Sequence, residues 1–120
     1  MHNNKPLTPI RDKALAWLAR REHSRLELAQ KLARAGFAKD EIAPLLDELE
    51  TKTWLSDQRF AESYVADHRA RYGALKLAYE LRQRGIAEPI IESALATSQD
   101  SELDRAREIW RKKFGTPPET

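Results

Sequence analysis

The stretch from Leu26 to Leu46 is written twice in this chain. Laid over Leu75 to Leu95 at a fixed offset of 49, it matches at Leu26/Leu75, Leu28/Leu77, Ala29/Ala78, Leu32/Leu81, Gly36/Gly85, Ala38/Ala87, Ile42/Ile91 and Leu46/Leu95. Those are 8 identities in 21 positions, where composition alone gives roughly one or two. A repeat of this length built from helical patterns predicts an array of small units, each burying its apolar face partly against its neighbour. The expected fold is therefore all-α: an elongated tandem repeat of three-helix units, with function on a surface rather than in a pocket.

The local signals divide the chain. Residues 1–9 read as a flexible tail that ends at Thr8-Pro9, a helix start in which Thr8 accepts an orphan N–H and Pro9 opens the first turn. Residues 10–53 form repeat 1. Its first helix runs to about Arg21, with Ile10, Ala14, Trp17 and Leu18 on one stripe. Ser24-Arg25-Leu26-Glu27 is a capping box for the second helix, whose core face is Leu28, Leu32 and Ala35, and Gly36 ends it. The third helix, from about Lys39 to Lys52, turns Ile42, Leu45, Leu46 and Leu49 inward; Pro44 removes a backbone donor there and predicts a local kink or a 3₁₀ start.

Residues 54–98 form repeat 2. Ser56 is the expected N-cap of a helix carrying Phe60, Tyr64 and Val65 and ending near Arg71 or Tyr72. Gly73 stands where Ser24 stood, Leu75, Leu77, Ala78 and Leu81 follow, and Gly85 stops the helix. Pro89 fits the first turn of the next, which buries Ile90, Ile91, Ala94 and Leu95. Thr97-Ser98-Gln99-Asp100-Ser101 reads as a linker to a seventh helix from about Glu102 to Phe114, before a break at Gly115-Thr116-Pro117-Pro118. Ala106, Trp110, Lys112 and Lys113 match Ala14, Leu18, Arg20 and Arg21, so residues 99–120 read as the first helix of an incomplete repeat 3.

Composition narrows the chemistry. The 120 residues include no cysteine, which removes disulfides and thiolate metal sites and suits a reducing compartment. No apolar run approaches the ~18 residues of a membrane span, and no secretory signal opens the chain, so the expected location is cytoplasmic. The net charge of +2 is small, but it is segregated by helix. From Arg11 to Ala35, seven basic residues face three acidic ones; from Lys39 to Glu50, Lys39 alone opposes Asp40, Glu41, Asp47, Glu48 and Glu50.

No catalytic, cofactor or metal motif is legible. His2, His23 and His68 are scattered without metal spacing, and the four glycines punctuate helices rather than cradle phosphates. Trp17 is best read as core. A helix-turn-helix reading fails on charge, because the would-be recognition helix from Lys39 is acidic and its second copy has no Lys or Arg from Ile86 to Ala96. What remains is a basic set repeated along the array: Arg20, Arg21, Arg25 and Arg34; Arg69, Arg71, Lys76, Arg82 and Arg84; Arg111, Lys112 and Lys113. Such a stripe suits a phosphate backbone or an acidic protein groove.

Two runs carry a family resemblance. Ala14-Leu15-x-x-Leu18-Ala19-Arg20-Arg21-Glu22-His23-Ser24-x-x-Glu27-Leu28, with Leu32 to Gly36-Phe37, resembles the opening unit of the RecX regulatory proteins. Trp54-Leu55-Ser56-Asp57-x-Arg59-Phe60-Ala61-Glu62-Ser63-Tyr64-Val65, with Tyr72-Gly73 and Leu81-Arg82-Gln83-Arg84-Gly85-Ile86, resembles the second. The resemblance implies a non-enzymatic regulator. Its partner would be the RecA recombinase filament on single-stranded DNA, whose ATPase and strand exchange it would inhibit, in recombination and DNA repair, with direct DNA contact in addition. The family usually has a complete third unit; carrying only its first helix implies weaker spanning of the filament groove. Two other readings stay open: a general nucleic-acid-binding helical module with no recombinase partner, and an adaptor that docks helices onto other proteins.

Overall fold

The computed structural model describes residues 7–115, with 99–106, 108 and 114 as backbone only. The first six residues of the expected tail and the Thr116-Pro117-Pro118 break lie outside the described residues. Among the described residues six helices follow one another: α1 Ile10–Arg20, α2 Arg25–Arg34, α3 Lys39–Thr51, α4 Asp57–His68, α5 Ala74–Gln83 and α6 Glu88–Phe114. The array is elongated, 72 × 25 × 24 Å.

Two separate cores account for the architecture. The first gathers Ala14, Leu28, Leu32, Phe37, Ile42, Leu45, Leu46, Leu49 and Leu55 from α1 to α3 and the turn after them, with Trp17 packed at its edge. The second gathers Phe60, Ala61, Val65, Leu77, Ala78, Leu81, Ile86, Ile91 and Ala94 from α4, α5 and the start of α6. The apolar positions expected to face inward on α3 are all buried. On α5, by contrast, Leu75 is 89% exposed, so the repeat's opening leucine is not a core position.

The helix ends follow the sequence chemistry closely. Ser24 Oγ accepts the Glu27 N–H at 3.1 Å while Glu27 Oε1 accepts the Ser24 N–H at 3.2 Å, a complete capping box. Ser56 Oγ accepts the Arg59 N–H at 3.1 Å. Gly36 and Gly85 stop α2 and α5 in the left-handed region, at φ 102° and 79°.

Four expectations shift. Pro9 itself is the N-cap of α1, and no side chain caps that helix. α3 is helical without interruption around Pro44, with no 3₁₀ start. α4 stops at His68, because the Arg71 and Tyr72 amides both turn back to the His68 carbonyl. The linker at Thr97-Ser101 does not exist as such: it is helical, and α6 runs through it for 27 residues. Its polar residues can cap a helix only where something ends one. Neither Gly nor Pro occurs between Ile90 and Phe114 to do so.

The units meet through a few specific contacts. The Asp57 carboxylate accepts the backbone N–H of Arg25 at 2.8 Å, and Arg59 Nε donates to Glu22 at 2.8 Å. A methyl group built on Gly85 would lie 2.8 Å from Leu26 Cβ, so the α5–α6 turn of one unit lies against the start of α2 in the other.

Candidate partner-binding surface

Ten of the twelve basic residues singled out in the sequence fall into two classes. Arg21, Arg25, Arg82 and Arg84 are committed to carboxylates. Arg21 donates to both oxygens of Glu27 at 3.2 and 3.3 Å, and Arg84 to Glu80 at 3.0 Å while its guanidinium lies 4.6 Å from the Tyr64 ring centroid. Arg25 joins Asp47, at 2.8 Å, and Glu50; Arg82 joins Glu88. Part of the charge segregated by helix in the sequence is thus neutralised across helices: α2 supplies the cation and α3 the anions.

The second class keeps its charge available. Arg20 on α1, Arg34 at the end of α2, Arg71 after α4, and Lys112 and Lys113 on α6 are exposed, with no ion pair among the described residues. Lys76 rests 4.3 Å from the Tyr72 ring centroid. Arg69 is half-buried and Arg111 exposed, each with an interaction of its own. These cations are spread over both units and the far half of α6, not gathered at one point.

A cleft of about 250 Å³ opens between the units, lined by Arg21, Glu22, Glu27, Tyr64, His68 and Arg84. Its wall is an aromatic ladder that the sequence reading did not single out as a surface feature. Tyr64 stacks on His68 at 4.0 Å, His68 on Tyr72 at 5.3 Å, and Phe60 is tilted against Tyr64 at 5.9 Å. The spacing of four between Phe60, Tyr64 and His68 was the available signal, since it places these side chains on one face of α4. His68 Nδ1 is 2.8 Å from the Tyr64 carbonyl, which fixes the ring in the stack.

His23 and Ser24, in the turn between α1 and α2, are buried polar side chains. His23 Nδ1 lies 3.1 Å from the Arg21 carbonyl, so this nitrogen carries the proton, and Nε2 accepts from Lys31 Nζ at 2.8 Å. Burial holds the His23 pKa below the ordinary histidine value, the Arg21 carbonyl opposes this, and the charges of Arg21 and Lys31 add to the depression. For Glu27, burial disfavours the ionised form, but Arg21 and the Ser24 N–H outweigh it and hold the carboxyl below its usual range. Asp57 moves the other way: burial raises it, against the Arg25 N–H, with the Glu50 charge assisting. Among the described residues, no group of three or more His, Asp or Glu side chains is placed to hold a metal ion.

Residues 11–49 match the family model for the first three-helix domain of RecX, and residues 56–95 match the model for its second. The chain belongs to the RecX family. It is 43% identical over 114 residues to the regulatory protein RecX of Ralstonia nicotianae, covering 95% of this chain and 71% of that one. With the regulatory protein RecX of Leptothrix cholodnii the identity is 40% over 118 residues, covering 98% and 75%. The crystal structure of RecX from Lactobacillus salivarius superposes with a TM-score of 0.68 over 88% of this chain and 72% of that chain, at 23% identity, a likeness of fold. The RecX relatives are named as regulatory proteins. No helix among the described residues is long and apolar enough to cross a membrane.

Proposed function

We propose that this RecX family member is a non-enzymatic regulator that binds the RecA recombinase on single-stranded DNA and inhibits its ATPase and strand-exchange activities, and so modulates recombination and DNA repair in the cytoplasm. Family membership supports the partner. The physical observation that carries the mode of binding is the set of unpaired cations, Arg20, Arg34, Arg71, Lys112 and Lys113, distributed along a 72 Å array. A protein–DNA filament presents phosphates and acidic side chains over a long path, and an array with separated cations engages such a path at several points at once. Lys76 extends the set; Arg69 and Arg111, which have interactions of their own, stand outside it, and Arg21, Arg25, Arg82 and Arg84 serve mainly to hold the helices through their carboxylate partners.

Co-sedimentation with recombinase filaments assembled on single-stranded DNA tests this. The chain should pellet with filaments, and Arg20→Glu combined with Arg34→Glu should release it without loss of helicity. Pelleting with naked single-stranded DNA alone, and never better with recombinase present, would instead favour a general nucleic-acid-binding module.

A further inference from the structure

The adjoining solvent-facing surfaces of α1 and α2 carry a cluster of cations organised around Lys31. Its ammonium is held by the buried His23 at 2.8 Å and lies 5.1 Å from the Trp17 ring centroid, with Lys13 5.3 Å from the same ring. Lys13, Trp17 and Arg20 follow one another at helical spacing on α1, as do Lys31 and Arg34 on α2. Burial, together with the nearby charges of Arg21, Arg20 and Arg34, lowers the Lys31 pKa, so these cations are close enough to repel one another. The carboxylate that acts on Lys31 is Glu27, and its oxygens are already engaged by Arg21 and the Ser24 N–H. The cluster therefore holds excess positive charge that its own neighbours do not neutralise.

We infer that the α1–α2 face of the first unit is a phosphate-contacting site for a nucleic-acid strand, with Lys13, Arg20, Lys31 and Arg34 as its cations. This rests on the regulator reading and deepens it by naming the face that meets DNA. Rows of like charge at one-turn spacing, with Glu27 already engaged by Arg21 and the Ser24 N–H, match a regular row of anions rather than the mixed charges of a protein surface. Trp17 and His23 hold the flexible ammonium stems before any ligand arrives, which reduces the ordering that binding requires. Lys13 and Lys31 are outside the basic set read from the sequence; the fold brings them in.

The test is fluorescence anisotropy of a labelled single-stranded oligonucleotide with the full chain and no recombinase, titrated between about 50 and 200 mM salt. Lys31→Gln keeps a donor for His23 and removes the charge; Arg20→Gln and Arg34→Gln break no ion pair. The triple variant should bind about tenfold or more weakly, and its slope of log affinity against log salt should fall by about 2, at ~0.7 per single-strand phosphate. Lys39→Gln, on the acidic α3, should bind like the parent. If the triple variant loses helicity, the Arg20→Gln, Arg34→Gln pair alone must weaken binding and lower the slope by about 1.4. Unchanged affinity and slope would overturn the site, as would a parent chain that binds polyglutamate but no oligonucleotide. Because recombinase is absent, a null result here removes the site while the filament assay judges the regulator reading separately.

Discussion

The Asp57 carboxylate, at the first turn of α4, accepts the Arg25 backbone N–H at the first turn of α2, 2.8 Å away and 32 residues earlier in the chain. One unit therefore supplies a cap for a helix of the other. Ser24 satisfies the Glu27 amide and Asp57 the Arg25 amide, so the start of α2 has two acceptors from two different units. Asp57→Ala should lower stability by about 1–2 kcal/mol, the scale of a lost N-cap, and Asp57→Asn should recover most of it. Urea denaturation measures the loss, and hydrogen exchange at the Arg25 amide locates it.

Gly85 is constrained twice, by its left-handed backbone and by Leu26. Gly85→Ala should cost more than about 2 kcal/mol, because the backbone conformation alone costs an alanine roughly 1–2 kcal/mol and the new methyl meets Leu26. Adding Leu26→Ala removes the outer part of that contact but leaves the Cβ and the backbone strain. The double variant should then be less destabilised than the sum of the two singles, read from a double-mutant cycle. Strict additivity would mean the units do not press together here.

His23 links stability to pH. Its folded pKa is depressed below the ordinary value of 6.5, so the unfolded chain binds the proton first as pH falls. Stability is therefore fully present above about pH 6.5 and declines as the pH drops below it toward the folded value. His23→Gln can donate to the Arg21 carbonyl and accept from Lys31 without titrating. The urea midpoint of the parent should fall more steeply between about pH 7.5 and 5.5 than that of this variant. Parallel curves for the two proteins would remove His23 from the linkage.

Much of the fold was legible because it rests on local chemistry. The capping box of Ser24 and Glu27, the N-cap of Ser56, the helix stops at Gly36 and Gly85 and the inward face of α3 each depend on residues a few positions apart. Contacts between distant residues were not legible. Nothing near Arg25 announces Asp47, Glu50 or Asp57 as its partners, so a stripe of basic residues in the sequence resolves in three dimensions into ion-paired and unpaired members. The same limit applies to His23, one of three scattered histidines until the fold brings Lys31 to it. The seventh helix failed differently: Thr97-Ser98-Gln99-Asp100-Ser101 has the composition of a linker, but a helix already under way continues through polar residues unless Gly or Pro stops it.

The division of the basic residues predicts different phenotypes. Arg20→Ala and Arg34→Ala, which break no ion pair, should leave stability within about 0.5 kcal/mol of the parent while weakening filament binding. Arg25→Ala strands Asp47 and Glu50 and should cost stability by up to about 1 kcal/mol, with a smaller effect on binding. Thermal melts and co-sedimentation on the same variants separate the two. The assignment fails if Arg25→Ala weakens binding more than Arg20→Ala does.

Regulation of a recombinase is the role proposed for this chain. The most direct measurement is the single-stranded-DNA-dependent ATPase rate of the cognate RecA, titrated with the 120-residue chain. Inhibition is expected at well below one chain per recombinase, relieved by Arg20→Glu with Arg34→Glu. An ATPase rate that stays constant up to an excess of the chain, with the protein folded and bound to DNA, would contradict it.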